Sequence, residues 1–208
     1  MTSRTLIDLT QSLDSNVLVY PGDPPFSIQQ ACTVPRDGYS VHALSCSSHV
    51  GTHVDAPSHF VTNGATIDQL PLSTFILPAF VIDVSYKKSR ECITWDAIEP
   101  VADRIRPGIA VLFQTGWSRY WDNVAERLVA LGVRSPDQSP VVGPSAETED
   151  EGVSDFGAHM AILGAGRLID AAIPDAEVIV SVLPLKVAGC DASPVRAVAW
   201  LQPRGFFS

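Results

Sequence analysis

Short apolar runs bounded by Pro and Gly, with few long amphipathic stretches, set the pattern of this chain. Of the runs 5–9, 79–84, 109–115, 178–183 and 195–201, the second and third are such segments and predict buried strands, while the first reads as an opening strand and the last two as closing strands. A further strand is predicted from Tyr39 onward. Between the second and third runs Thr94 stands where it can cap a helix reaching to about Arg104. Residues 123–131 carry an apolar face and stop at Gly132, which predicts another helix. A short helix is expected over 159–163, closed by Gly164 and Gly166, whereas 21–25 and 135–151 collect Pro, Gly, Ser and acids and read as loops. Strands alternating with helices make an α/β protein, and 208 residues with 46% hydrophobic content suit one domain with a real core.

One segment breaks the apolar rhythm. From Tyr39 the chain runs into His49-Val50-Gly51-Thr52-His53-Val54-Asp55-Ala56-Pro57-Ser58-His59, which holds three of the five histidines in eleven residues. The histidines and Asp55 all occupy odd positions, so in an extended backbone they share one face. A helix is disfavoured by Gly51, Pro57 and the β-branched Val50, Thr52 and Val54. In a strand His53 and Asp55 stand about 6.7 Å apart at Cα, within reach of one ion, whereas His49 and His53 are about 13 Å apart. The chain is therefore expected to bend at Gly51, and Pro57 to stiffen the exit that brings His59 back over the site. Two imidazoles and a carboxylate are ligands for a borderline divalent cation such as Zn²⁺ or Mn²⁺, and three protein ligands leave positions open for catalysis. His42 lies seven residues earlier on the even parity and reads as an ordinary residue.

Composition narrows the partners. The net charge of −9 and the lack of clustered Lys and Arg argue against nucleic acid and anionic membranes. The start of the chain has no apolar run of signal-peptide length and no stretch approaches ~20 apolar residues, so a cytoplasmic location is expected. Cys32, Cys46, Cys92 and Cys190 are scattered without a CxxC pair, which suits reduced thiols; Cys46, on the even parity, is expected to be buried behind the metal-binding strand. No GxSxG elbow is present to supply a serine nucleophile.

The eleven-residue segment matches the HxGTHxDxPxH hallmark of the cyclase family of metal-dependent hydrolases, which includes bacterial kynurenine formamidases and isatin hydrolase, and the chain resembles that family. Further resemblances follow in the family's order: Tyr20-Pro21-Gly22-Asp23, Thr115-Gly116-Trp117-Ser118 with Tyr120 and Trp121, His159 ahead of Leu163 and Gly166, Leu183-Pro184-Leu185-Lys186 and Ser193-Pro194-Val195-Arg196. The resemblance implies a swivelling β/β/α fold, a mixed sheet flanked by helices, and homodimers or homotetramers. It implies metal ligation by His49, His53 and Asp55, with His59 as proton donor and acceptor and His159 as ligand to a second metal. Tyr20 takes the place of a Trp that contacts the aromatic substrate and keeps an aromatic face.

One position departs from the family. The formamidases carry a second-metal Glu twelve residues beyond the late His, where this chain has Ala171 preceded by Asp170. A one-residue shift redirects a side chain and Asp is a methylene shorter, so a single ion is expected. The activity implied is hydrolysis of a carbon–nitrogen bond in a small aryl formamide or cyclic amide by activated water. The alternatives are a lactone or ester hydrolase or polyketide-type cyclase, and a catalytically silent metal-bound scaffold. The terminal Phe206 and Phe207 suggest docking against a neighbour or the same subunit.

Overall fold

The structure is a computed structural model, and it describes residues 6–17, 19–20, 22–88, 91–116 and 176–203. The expected helices at 123–131 and 159–163, the loop at 135–151, and His159, Asp170, Ala171, Trp117, Tyr120, Trp121, Phe206 and Phe207 lie outside the described residues. The strands, in chain order, are β1 (Leu6–Asp8), β2 (Ser27–Cys32), β3 (Val41–Ser45), β4 (His53–Asp55), β5 (Ile76–Asp83), β6 (Ala110–Gln114), β7 (Ala176–Ser181), β8 (Ala192–Pro194) and β9 (Val198–Pro203).

Five of them form a mixed sheet in the order β1-β9-β7-β5-β6, parallel only between β5 and β6. The two-residue period of β5 and β6 then assigns the faces. Ala79, Val81, Ala110 and Leu112 point to one core, and Phe80, Ile82, Val111 and Phe113 to the other. The second core is closed by Ala97, Ile98 and Val101. These belong to an α-helical turn, Trp95–Ile98, that tightens into the 3₁₀ segment Glu99–Arg104. The expected helix is there, but Pro100 lacks an amide hydrogen and the segment continues in the tighter form. Thr94 occupies the N-cap position without capping the backbone, its hydroxyl bonding Asp96 instead.

The first core brings the candidate site to the sheet. β4 and β8 pair antiparallel as a small second sheet, with His53 opposite Pro194 and Asp55 opposite Ala192. Val54, Ala56 and Val195 pack into the first core beside Leu9, Ile67 and Val180. Small sheet, mixed sheet and helical segment are thus stacked in that order, the β/β/α layering implied by the resemblance. Burial of Val54 and Ala56 requires their neighbours His53 and Asp55 to face the other way.

β2 and β3 form a separate hairpin whose apolar residues Ile28, Val41 and Leu44 are all exposed. This geometry overturns the expectation for Cys46. It lies just beyond β3 and is exposed, because the hairpin has no layer of described residues behind it. His42 is exposed on β3, paired with Gln30, and is ordinary as expected. Among the described residues no helix is long and apolar enough to cross a membrane.

Candidate metal centre

The strand from Tyr39 does not carry His49: β3 ends at Ser45, and His49 sits in a turn held by the bond from Val50 N to Ser47 O (3.3 Å). Its own amide donates to the Ser47 hydroxyl at 3.2 Å. Gly51 follows with φ +61°, the left-handed conformation that glycine adopts without penalty, and it is the bend that the 13 Å separation demanded. β4 then places His53 and Asp55 on one face. Pro57–His59 is a 3₁₀ turn, pinned by His59 N to Ala56 O (3.0 Å) and Ser58 N to Ala65 O (3.1 Å), that folds His59 back until its ring centroid lies 4.0 Å from that of His49.

Three ligand atoms converge. Asp55 Oδ1 lies 2.9 Å from His49 Nδ1 and 3.5 Å from His53 Nε2. Ligands about 2.0–2.1 Å from a tetrahedral ion stand roughly 3.3 Å from one another, so this spacing is that of a coordination polyhedron. The bonding of the ring and carboxylate atoms agrees. His53 turns Nδ1 to the Gly51 carbonyl at 2.9 Å, which assigns the proton to that nitrogen and leaves the Nε2 lone pair facing Asp55. Asp55 Oδ1 is buried and accepts no hydrogen bond, its approach to His49 notwithstanding. A buried anionic oxygen without a hydrogen bond is costly, and a shared cation removes the cost. The residues present therefore fit a divalent metal. Burial, the largest influence, pushes the His53 imidazolium to a lower pKa against the opposing effects of the Gly51 carbonyl and Asp55 charge, which favours the neutral, ligating ring.

A further residue joins them that sequence reasoning missed. Asp191 Oδ2 lies 3.0 Å from His49 Nε2 and 3.2 Å from His59 Nδ1, while Ser48 Oγ donates to its Oδ1 at 2.9 Å. The bond from Ala56 N to Asp191 O (2.8 Å) ends the β4–β8 ladder and fixes Asp191 across from the motif. Partial burial pushes the Asp191 carboxyl up, but the hydrogen bonds from His49 and Ser48 work against it, and the group sits well below the usual carboxylate range. The only hint in the chain is an acid between the Leu183–Lys186 and Ser193–Arg196 motifs. Arg196 itself turns away to the surface, where it pairs with Asp8 at 3.0 and 2.5 Å.

Tyr20 is exposed, and its turn is tied to the segment before His49: Asp23 N donates to Tyr20 O at 2.9 Å, and Ser47 Oγ donates to the Asp23 side chain at Oδ2 (3.1 Å). Phe60 packs edge-on against His59 with ring centroids 4.1 Å apart, an aromatic neighbour not singled out from the sequence.

The Cyclase family model matches residues 7–150, which include the whole eleven-residue motif. This chain belongs to the Cyclase family. It is 34% identical to a kynurenine formamidase of Paracidovorax citrulli, covering 95% of this chain and 97% of that protein. A kynurenine formamidase of Sphingopyxis alaskensis is 30% identical, with 92% and 95% covered. Isatin hydrolase A from Labrenzia aggregata shares the fold with a TM-score of 0.68 at 24% identity, over 95% of this chain and 93% of that one.

Proposed function

We propose that this chain is a metal-dependent hydrolase of a carbon–nitrogen bond in a small aryl formamide or cyclic amide. The observation that carries the reading is Asp55 Oδ1, buried, without a hydrogen bond and flanked by His49 Nδ1 and His53 Nε2. The full-length similarity to kynurenine formamidases and the fold shared with isatin hydrolase supply the substrate class. In this reading His49, His53 and Asp55 hold one Zn²⁺ or Mn²⁺, and His159 is the residue that the family resemblance implies as ligand to a second ion. The bound ion supplies a lowered pKa for a coordinated water and polarisation of the scissile carbonyl.

The protein's own groups do the rest. His59, beside His49, takes a proton from the attacking water and returns it to the departing amine, the general base and then general acid of the reaction. Tyr20, on the turn joined to the centre through Asp23 and Ser47, offers an aromatic face to the planar substrate. The apolar hairpin residues Ile28, Val41 and Leu44, exposed among the described residues, support a homodimer or homotetramer, since a second copy packed there would remove them from water. A cytoplasmic location completes the reading.

Purified protein assayed against formylkynurenine, isatin and simple lactones, with elemental analysis for metal, tests the proposal. Turnover of an amide substrate with one equivalent of metal per chain is the expected result. Turnover of lactones alone would transfer the chain to ester or polyketide-type cyclase chemistry, and two equivalents would refute the single ion. His59→Ala is expected to keep its metal and lose about 10²–10⁴-fold in turnover; unchanged trace activity would favour a silent scaffold.

A further inference from the structure

We propose that Asp191 is the positioning residue of this centre: one carboxylate oxygen sets the ring orientation and tautomer of both the ligand His49 and the proton-transfer residue His59. The inference rests on the reading above that His49, His53 and Asp55 hold the cation. It starts from the contrast between two carboxylates. Asp55 Oδ1 has no hydrogen bond, whereas Asp191 has both oxygens engaged, Oδ2 with His49 Nε2 and His59 Nδ1 and Oδ1 with Ser48 Oγ. A cation belongs where the oxygen is orphaned, and hydrogen-bond acceptance belongs where donors already point.

The consequences for each ring follow from having two nitrogens and, when neutral, one proton. Donation from His49 Nε2 to Asp191 removes the proton from Nδ1, the atom 2.9 Å from Asp55 Oδ1, and leaves it a lone pair for the ion. Donation from His59 Nδ1 to the same oxygen leaves His59 Nε2 as the basic atom for proton transfer. Without Asp191 either ring could take the other tautomer or rotate, and His49 would lose its ligating atom. His53 needs no such carboxylate because the Gly51 carbonyl performs that service from within the motif.

A competing assignment exists, since His49, His59 and Asp191 also form a group of ligand atoms close enough to hold an ion of their own. The hydrogen-bonding geometry at Asp191 favours orientation over ligation, and the two assignments differ in what Asp191→Asn removes. The experiment has two readouts. In metal-free protein carrying ¹⁵N-labelled histidine, side-chain NMR is expected to show His49 protonated at Nε2 and His59 at Nδ1, and Asp191→Asn to lose both signatures. In chelator competition with Zn²⁺ and with Mn²⁺, Asp191→Asn is expected to weaken uptake by about 10–100-fold with the number of ions per chain unchanged. In the metal-saturated variant kcat is expected to fall more than KM rises.

Tautomers that do not respond to the substitution would overturn the proposal. So would loss of one whole equivalent of metal with the remaining affinity intact, which would make Asp191 a ligand. Because the NMR readout uses metal-free protein, it decides the role of Asp191 even if the wild-type chain takes up no metal, an outcome that would instead refute the hydrolase reading. Ser48→Ala, which keeps the carboxylate and deletes only the hydroxyl on Oδ1, is expected to move metal affinity in the same direction by less, and it serves if Asp191→Asn is poorly folded.

Discussion

Gly64→Ala is expected to separate the proposed metal ligands from His59, the proposed proton-transfer residue. Gly64 is pressed against the backbone of the turn that carries His59: a Cβ there would lie 2.6 Å from Pro57 C, 2.7 Å from Ser58 N and 2.8 Å from Pro57 O. Ordinary contact begins near 3.4 Å, so the Pro57–His59 turn or the segment around Gly64 must retreat by about 0.6–0.8 Å. Neither side is a flexible side chain. Both are tied by hydrogen bonds, Val61 N to Pro57 O (2.9 Å), Gly64 N to Val61 O (2.8 Å) and Ser58 N to Ala65 O (3.1 Å), so the shift passes to His59 two residues on. Overpacking of this kind costs about 1–3 kcal/mol, and a misplacement approaching 1 Å at a catalytic group costs up to about 10²-fold in rate. Metal affinity is expected to hold, because His49, His53 and Asp55 all precede the displaced turn. Thermal unfolding, chelator competition and kcat on one preparation check the three effects. A Gly64→Ala protein with wild-type melting temperature and wild-type kcat would refute the reasoning, and one that lost metal before turnover would show that the turn and the ligand strand are not mechanically separate.

Asp55→Asn removes the charge of the orphaned oxygen and is expected to weaken Zn²⁺ and Mn²⁺ binding by more than the roughly 10–100-fold that loss of an outer partner costs, as read by chelator competition. Leu9→Ala, at a fully buried position in the core that Val54 shares, is expected to cost about 2–5 kcal/mol in denaturant unfolding with metal stoichiometry unchanged. The Asp8 carboxyl is held below its ordinary 3.8, first by the hydrogen bond from Arg196, with burial opposing. The folded state therefore binds fewer protons than the unfolded chain, and this stabilisation is present above pH 3.8 and lost as pH falls through the lower folded value. Asp8→Asn is accordingly expected to lower the melting temperature slightly at pH 7 and to flatten its acid limb below about pH 4.

Much of the centre could be read directly from eleven residues because its geometry is local. Odd parity put His53 and Asp55 on one face, the reach between His49 and His53 required a bend, and Gly51 provides it at φ +61°. The apolar runs located β1, β5, β6, β7 and β9 within a few residues because burial on a sheet leaves a compositional trace. Where the reading failed, the missing information was non-local. Even parity and the usual burial of a free thiol put Cys46 behind a strand, yet the hairpin it follows has no described layer to bury it. Three-residue β8 is too short to leave a pattern, and it exists because β4 needs a partner.

Which side chains are able to ligate an ion, and where the backbone between them must bend, follows from the order of residues alone, since imidazole and carboxylate chemistry and a two-residue period are properties of neighbours along the chain. Long-range packing was needed to show that Val54 and Ala56 enter the core, so that His53 and Asp55 turn away from it into the partly buried centre, and that Asp191, 132 residues after His59, meets both His59 and His49. The physical reason is that a hydrogen bond depends on position in space. Pairing between β4 and β8, driven by burial of Val54, Ala56 and Val195 in one core, is what converts that distance along the chain into 3.2 Å.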